Sequence, residues 1–232
     1  ASDMSSSLGA AVQLAAKHEY PVDPESFRSL QTGPTPGPPP AKSAGHRIKF
    51  EGDLHSYIAR ELSRGRCIAW VRGQMEIGPR ALGGRSILAD PRDSEARDRL
   101  NRKIKFRESF RPFGPAILTE KVSEWFDLQG TSDYMNQTAQ ILPQHNGSEP
   151  RIPAVVHVDS SSRLQTVDQE IHPDFHQLLK AFDEITGVPI LINTSFNLAG
   201  QPIVCDADDA WDTFVKTDLD LLVIGDEVFQ QP

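Results

Sequence analysis

The sequence predicts an α/β fold, a mixed or parallel sheet covered by helices. Three observations carry that expectation. Short apolar or β-branched runs such as Val188–Ile192 and Leu221–Ile224 alternate with capped, amphipathic helix patterns. A stretch rich in Pro and Gly, from Pro21 to Pro40, separates this alternation from a short N-terminal segment. Hydrophobic residues make up 38% of the 232, below common globular usage but sufficient for one core.

The elements follow in order. Ser5 to Lys17, with small residues and Leu8, Val12 and Leu14, reads as a short helix. Gly33 through Pro40 has few backbone donors and reads as an extended linker at a domain boundary. The expected division is therefore 1–20, a linker over 21–45, and a main domain over 46–232. Arg47–Phe50 is a short strand. Asp53 caps a helix running to Ser63, with Gly65 just past its end. Arg66–Val71 is a strand, and Gly73 to Ser86 a glycine-bearing loop. Asp93 or Ser94 starts a helix with Leu100 and Ile104 on one face. Pro115–Leu118, Ala154–Val158 and Arg163–Val167 read as strands, with an exposed loop from Pro143 to Pro150. Pro173 opens a helix to Ile185, the position where proline suits a helix. Val188–Ile192 is a buried strand, Asp206 caps a helix to Lys216, and Leu221–Ile224 is the last core strand.

Composition narrows the function. A net charge of −8 argues against bulk nucleic-acid binding. Yet Arg72 to Arg111 holds 11 basic and 6 acidic residues, net +5, while the tail from Asp206 carries 8 acids and one lysine. A cationic block in an acidic chain points to a focused anion site. No apolar run reaches the length of a membrane span and no signal-peptide pattern opens the chain, so a soluble, cytoplasmic protein is expected. Cys67 and Cys205 lack metal or redox spacing and read as free thiols. Of seven histidines, only His172 and His176 are spaced to meet on a helix face, and no third ligand accompanies them, so no metal site is expected.

Four segments carry the chemistry. Gly78-Pro79-Arg80-Ala81-Leu82-Gly83-Gly84-Arg85-Ser86 follows a strand; its glycines expose N–H groups, and Arg80 and Arg85 add planar forks suited to phosphate or carboxylate. The same residues also suit a solvated surface turn. Asn101 to Phe113 interleaves basic residues with Phe106, Phe110 and Phe113; the aromatics read as packing residues, Arg107 and Glu108 as a structural pair, and Arg111, stiffened by Pro112, as an anion contact. His157 to Arg163 is a serine-rich turn that suits an anion or an ordinary hairpin, with His157 read as structural. Asn193-Thr194-Ser195-Phe196-Asn197 leaves the C-terminal end of a buried strand, where open α/β sheets bind ligands; its amides can read a carbamoyl group.

Together and in this order, these segments resemble the carbamoyltransferase family of nodulation and antibiotic-tailoring O-carbamoyltransferases. The resemblance runs from Trp70 through Gly225. It includes Glu76-Ile77-Gly78-Pro79-Arg80-Ala81-Leu82-Gly83, Asp90-Pro91-Arg92, Leu100-Asn101 through Arg111-Pro112-Phe113, His157-Val158-Asp159 with Arg163 and Gln165, Thr186-Gly187-Val188-Pro189, and Asn193 to Asn197. It implies the C-terminal part of a two-part enzyme, with a YrdC-like twisted mixed sheet flanked by helices around a cationic cavity. There carbamoyl phosphate and ATP, with Mg2+, would give carbamoyladenylate and pyrophosphate. An N-terminal domain, of which Ser7 to Ala11 resembles the last helix, would pass the carbamoyl group to a natural-product hydroxyl. Carried onto this chain, it implies Lys105, Arg80 and Arg111 as catalytic, and Arg85, Arg163, Asn193, Ser195 and Asn197 as substrate or nucleotide contacts. Arg85 is also open to a structural role, and Asp159 is the one carboxylate considered for Mg2+. Ser160 departs from the family's usual glycine. Two alternatives stand beside this reading: a binding module inactive without its other half, and a YrdC protein of the tRNA-modifying type.

Overall fold

The computed structural model describes residues 3–23, 28–106, 108, 111–148 and 150–232. Arg107 and Phe110 lie outside the described residues. The strands are β1 (Arg47–Ile48), β2 (Ile68–Val71), β3 (Arg85–Ala89), β4 (Gly114–Leu118), β5 (Phe126–Asp127), β6 (Gln137–Ile141), β7 (Ser161–Val167), β8 (Ile190–Ser195), β9 (Leu221–Ile224) and β10 (Glu227–Gln230). They form one sheet in the order β1-β10-β9-β2-β3-β8-β4-β7-β6-β5. The pairs β2/β9 and β4/β7 are parallel. The other pairs are antiparallel, so the sheet is mixed but mostly antiparallel.

The helices are α1 (Asp3–Lys17), α2 (Leu54–Ser63), α3 (Ala96–Leu100), α4 (Val122–Trp125), α5 (Pro173–Thr186) and α6 (Ala207–Phe214). Their ends obey local chemistry. Ser56 N donates to Asp53 Oδ1 at 2.9 Å and Asp209 N to Asp206 Oδ1 at 2.9 Å, each cap satisfying a donor the helix leaves free. Pro173 opens α5 at its first turn. Helices α2 and α5 pack on each other, α5 on β4 and β8, and α6 on β2 and β9. The interior is built from fully buried Trp70, Phe182, Phe214 and the aliphatic strands. Each such side chain contributes roughly 1.5–3 kcal/mol by leaving water. Helix α1 buries none of the side chains described in it.

Four expectations need correction. Ala154–Val158 is not a strand: Pro153–Val155 forms a single 3₁₀ turn, since Pro153 opens it without an N–H, and Val158 is exposed. The loop assigned to residues up to Ser86 ends earlier, because Arg85–Ala89 is the strand β3. A strand, β10, follows Leu221–Ile224 and pairs back on it across Gly225. The helix expected from Asp93 or Ser94 begins at Ala96 and changes after Leu100 into a π-helical turn, Asn101–Lys105. The extended stretch before residue 41 is hydrogen-bonded to residues 75 and 77. Among the described residues, no helix is long and apolar enough to cross a membrane. Cys67 and Cys205 are free thiols, and burial raises the Cys67 pKa.

Candidate functional site

Sheet topology gathers the sequence motifs. Strand β8 lies between β3 and β4 and runs antiparallel to both, with Ser195 opposite Ser86 and Asn193 opposite Gly114. The chain therefore enters β3 and β4 at the same edge where β8 leaves. That edge receives the glycine loop, the Pro112–Gly114 segment and Asn193 to Asn197. Strand β7, parallel to β4, brings Arg163 beside Gly114; a Cβ on Gly114 would lie 2.9 Å from the Arg163 carbonyl oxygen, so only glycine fits.

A cavity of about 110 Å³ opens there, with Arg80, Phe113, Arg163, Asn193 and Ser195 among its walls. Among the described residues, neither the Arg80 nor the Arg163 side chain has an ion-pair or hydrogen-bond partner. Burial first, and the like charge of Arg80 second, lower the Arg163 pKa. Two guanidinium groups sharing a small cavity without a counter-charge form a site prepared for an anion.

One wall residue, Asn193, belongs to a buried amide pair with Gln165. Asn193, 1% exposed, donates through Nδ2 to Ala81 O at 3.0 Å and to Gln165 Oε1 at 2.7 Å. Gln165 Nε2 donates to Leu82 O at 3.0 Å. These main-chain acceptors fix both amide orientations. Asn193 Oδ1 is then left buried without a partner among the described residues. An orphan acceptor beneath two cations suits a ligand that carries N–H donors as well as negative charge.

Lys105 completes the edge. The π-helical turn turns its side chain inward, leaving it 7% exposed, and the chain reverses at Phe106, whose φ is 46°. Its Nζ donates to the Ser195 carbonyl, to Ser195 Oγ at 3.2 Å, to Asn197 Oδ1 at 2.7 Å and to Asn197 O at 3.3 Å. Ser195 Oγ in turn donates to Asn197 Oδ1 at 2.7 Å. Lys105, Ser195 and Asn197 are therefore one cluster adjoining the cavity.

Two expected contacts stand apart from the cavity. Arg111 is exposed and pairs with Glu108 Oε2 at 3.0 Å, although its neighbours Pro112 and Phe113 line the cavity. Arg85 is fully buried: Nε donates to Cys205 O at 2.9 Å, Nη1 to Gly84 O at 2.9 Å and Gly73 O at 3.2 Å, and Nη2 to Pro34 O at 2.9 Å. Burial lowers its pKa, with Glu76 offsetting part of the effect. Arg85 thus ties loops together, the structural role left open by its sequence context. Asp159 accepts from Ser161 N at 3.0 Å and Ser161 Oγ at 2.7 Å, which lowers its pKa and makes it the brace of a turn. His172 faces Gln31 and His176 faces Glu120, so these two histidines serve separate partners. The sequence reading gave no role to Glu76 or Gln165. Both sat inside the quoted motifs, yet side-chain to main-chain bonds leave no periodic signal.

Fold and cavity define a mixed α/β domain with a cationic cavity at one edge of its central strands. The family profile described as "Carbamoyltransferase C-terminus" matches residues 59–231, and the chain belongs to that family. It is 40% identical to nodulation protein NolO of Bradyrhizobium diazoefficiens, over 97% of this chain and 42% of that protein. It is 33% identical to the 3'-hydroxymethylcephem-O-carbamoyltransferase of Amycolatopsis lactamdurans, over 99% of this chain and 42% of that one. The chain thus spans about two-fifths of the length of these relatives. Among solved structures, it resembles full-length HypF in a phosphate- and nucleotide-bound form, with TM-score 0.51 and 15% identity over 76% of this chain and 25% of HypF. HypF of T. kodakarensis matches with TM-score 0.50 and 14% identity over 78% of this chain and 21% of that one. These two likenesses are of fold, and the YrdC-like mixed sheet flanked by helices is the fold found.

Proposed function

We propose that this chain is the part of an O-carbamoyltransferase that converts carbamoyl phosphate and ATP into carbamoyladenylate. The observation that carries the reading is the convergence of unpaired Arg80 and Arg163 with the orphan Asn193 acceptor in one small cavity, adjoined by Lys105. Arg80 and Arg163 hold the phosphoryl group of carbamoyl phosphate, and Asn193 Oδ1 accepts from the carbamoyl NH2. Releasing both phosphate and pyrophosphate requires one water. Water cleaves carbamoyl phosphate to carbamate and phosphate; a carbamate oxygen then attacks the α-phosphorus of ATP, and pyrophosphate leaves. Lys105, drawn off its serine and asparagine acceptors, stabilises the charge developing on the transferred group. Arg111, swung from Glu108, reaches the nucleotide phosphates.

The cavity walls offer cations and amides rather than carboxylates, and among the described residues no three His, Cys, Asp or Glu come together as metal ligands. That donor set does not fit a resident Mg2+. Mg2+ belongs with the ATP phosphates, and no step here runs through it.

The proposal extends to the whole enzyme. Residues 1–20 continue from an N-terminal half, and that half transfers the carbamoyl group to a hydroxyl of a natural product. Pyrophosphate release by this chain, with ATP and carbamoyl phosphate each omitted in turn, is the test. Release that needs both substrates supports the reading. Nucleotide binding without release favours a binding module that needs its other half, a reading favoured by the chain's two-fifths share of its relatives. Neither binding nor release would sink both.

A further inference from the structure

The glycine loop that carries Arg80 has little sheet pairing of its own, and its shape comes from two grips. On the carbonyl side, Asn193 and Gln165 hold Ala81 O and Leu82 O, each at 3.0 Å. On the N–H side, one buried oxygen does the work: Glu76 Oε1 accepts from Leu82 N at 2.5 Å, Gly84 N at 3.1 Å and Arg85 N at 3.3 Å. Glu76 is 2% exposed, so each of these donors would lack water if the carboxylate moved.

Glu76 is itself held by the segment that precedes the fold. Ile77 N donates to Leu30 O at 2.8 Å, Gly33 N to Met75 O at 2.8 Å and Met75 N to Pro34 O at 2.9 Å. Gln31 pairs with Glu76 as an antiparallel bridge between these bonds. Residues 30–34 therefore run as an edge ribbon along 75–77. Two side chains also hold the ribbon: Arg85 Nη2 reaches Pro34 O at 2.9 Å, and His172 Nδ1 lies 3.2 Å from Gln31 Oε1. At Gly84 the layers touch, because a Cβ there would lie 2.7 Å from Glu76 Oε2 and 3.1 Å from Gln31 Nε2.

We infer that Glu76 is a positioning residue for Arg80, and that residues 30–34 are the strap that keeps its carboxylate under the loop. The strap makes the stretch before the domain part of the site. The inference rests on reading the cavity as an anion site, but its geometry can be tested without a ligand.

The experiment is hydrogen exchange on the full chain, wild type against Gly33→Pro, Glu76→Ala and Glu76→Gln. Gly33→Pro deletes one donor of the strap and sets a Cβ 2.9 Å from Met75 O, so it pushes strap and loop apart at a residue outside the cavity walls. In Gly33→Pro and Glu76→Ala, the amides of Leu82, Gly84 and Arg85 should exchange about tenfold faster or more, with those of residues 190–194 at the wild-type rate. Glu76→Gln retains an Oε1 acceptor and should restore much of the protection. Wild-type exchange in the loop overturns the inference. So does equal acceleration in β8, which would make the ribbon a general stabiliser. In parallel, calorimetry with inorganic phosphate and pyrophosphate, below the melting range of each variant, should show Gly33→Pro binding about tenfold more weakly. Wild-type affinity there would also overturn it. If the wild-type chain binds neither probe, the anion reading fails, and the exchange data still decide the strap.

Discussion

Two cavities of this molecule differ in size and in charge, and the difference points the opposite way from what size suggests. The groove beside α2 and α5 encloses about 420 Å³, against about 110 Å³ at the edge of β8. In the larger one, the two histidines of the wall each have a carboxylate partner. His176 Nε2 donates to Glu120 Oε1 at 2.9 Å, and His55 Nε2 to Asp174 Oδ1 at 2.8 Å. Beyond that wall, Arg72 clasps the same Asp174 through Nε and through Nη2 at 2.8 Å. In the smaller one, two arginines and an amide oxygen face each other without such partners. Room alone does not make a binding site; uncompensated charge in a preformed shape does.

The sharpest way to break this contrast is through the two arginines of one loop. Arg85 is satisfied by main-chain carbonyls, so Arg85→Ala should cost about 3–5 kcal/mol of stability, by analogy with broken buried ion pairs. That loss should appear as a melting point lower by about 6–20 °C. Arg80 is unsatisfied, so Arg80→Ala should leave the melting point nearly unchanged and weaken phosphate binding about 10- to 100-fold, the worth of one charge-assisted contact. Arg163→Ala should behave like Arg80→Ala. Lys180→Ala, on the wall of the larger groove, should change neither. A binding loss without a stability loss for Arg85→Ala would erase the distinction.

What the sequence made legible divides along the same physical line. Helix ends were readable because Asp53, Asp206 and Pro173 act within one turn of themselves. The meeting of four candidate residues was foreshadowed because β8 is a β-branched run followed by amides, and the structure brings Arg80, Arg163, Asn193 and Ser195 into one cavity at that edge. Strand β3 was hidden because Arg85 and Ser86 look like loop residues, while their burial depends on carbonyls as distant as Cys205. Strand β6 was hidden by its polar composition, Gln137–Ile141. The side chain of Arg111 could not be assigned from its flanking aromatics, since its pairing with Glu108 is a three-residue contact on the outside of the turn.

A smaller effect separates the two regions by pH. Burial would raise the Asp174 pKa, but hydrogen bonds from His55 and Arg72 outweigh it and hold the carboxyl below its ordinary value of 3.8. A depressed folded pKa means that the unfolded chain binds the proton first. The stabilisation is therefore fully present above the ordinary value and is lost as pH falls through the folded one. Urea unfolding across about pH 2–6 should show Asp174→Asn with a shallower acid limb than wild type. Phosphate affinity at neutral pH should stay the same. An unchanged acid limb would mean that the pairs of Asp174 with His55 and Arg72 contribute nothing to stability.

The smallest expected effect concerns the turn that leads into Arg163. Ser160 has φ of 64°, the left-handed region that glycine occupies without a Cβ penalty. The penalty for serine is about 1–2 kcal/mol. Part of it is offset here, because Asn146 Nδ2 donates to Ser160 Oγ at 2.8 Å, a bond worth about 0.5–1.5 kcal/mol. Ser160→Gly removes both terms and should stabilise the chain by only about 0.5 kcal/mol. In an Asn146→Ala background the offset is already gone, so the same substitution should gain the whole penalty, about 1–2 kcal/mol. Main-chain bonds also hold the turn, with His157 N donating to Ser161 O at 2.8 Å and Ser160 N to His157 O at 3.0 Å. Phosphate affinity should therefore not change in either background. If relaxing Ser160 instead shifts affinity, the turn tunes the position of Arg163, and the unpaired side of the comparison is less rigid than its neighbouring bonds imply.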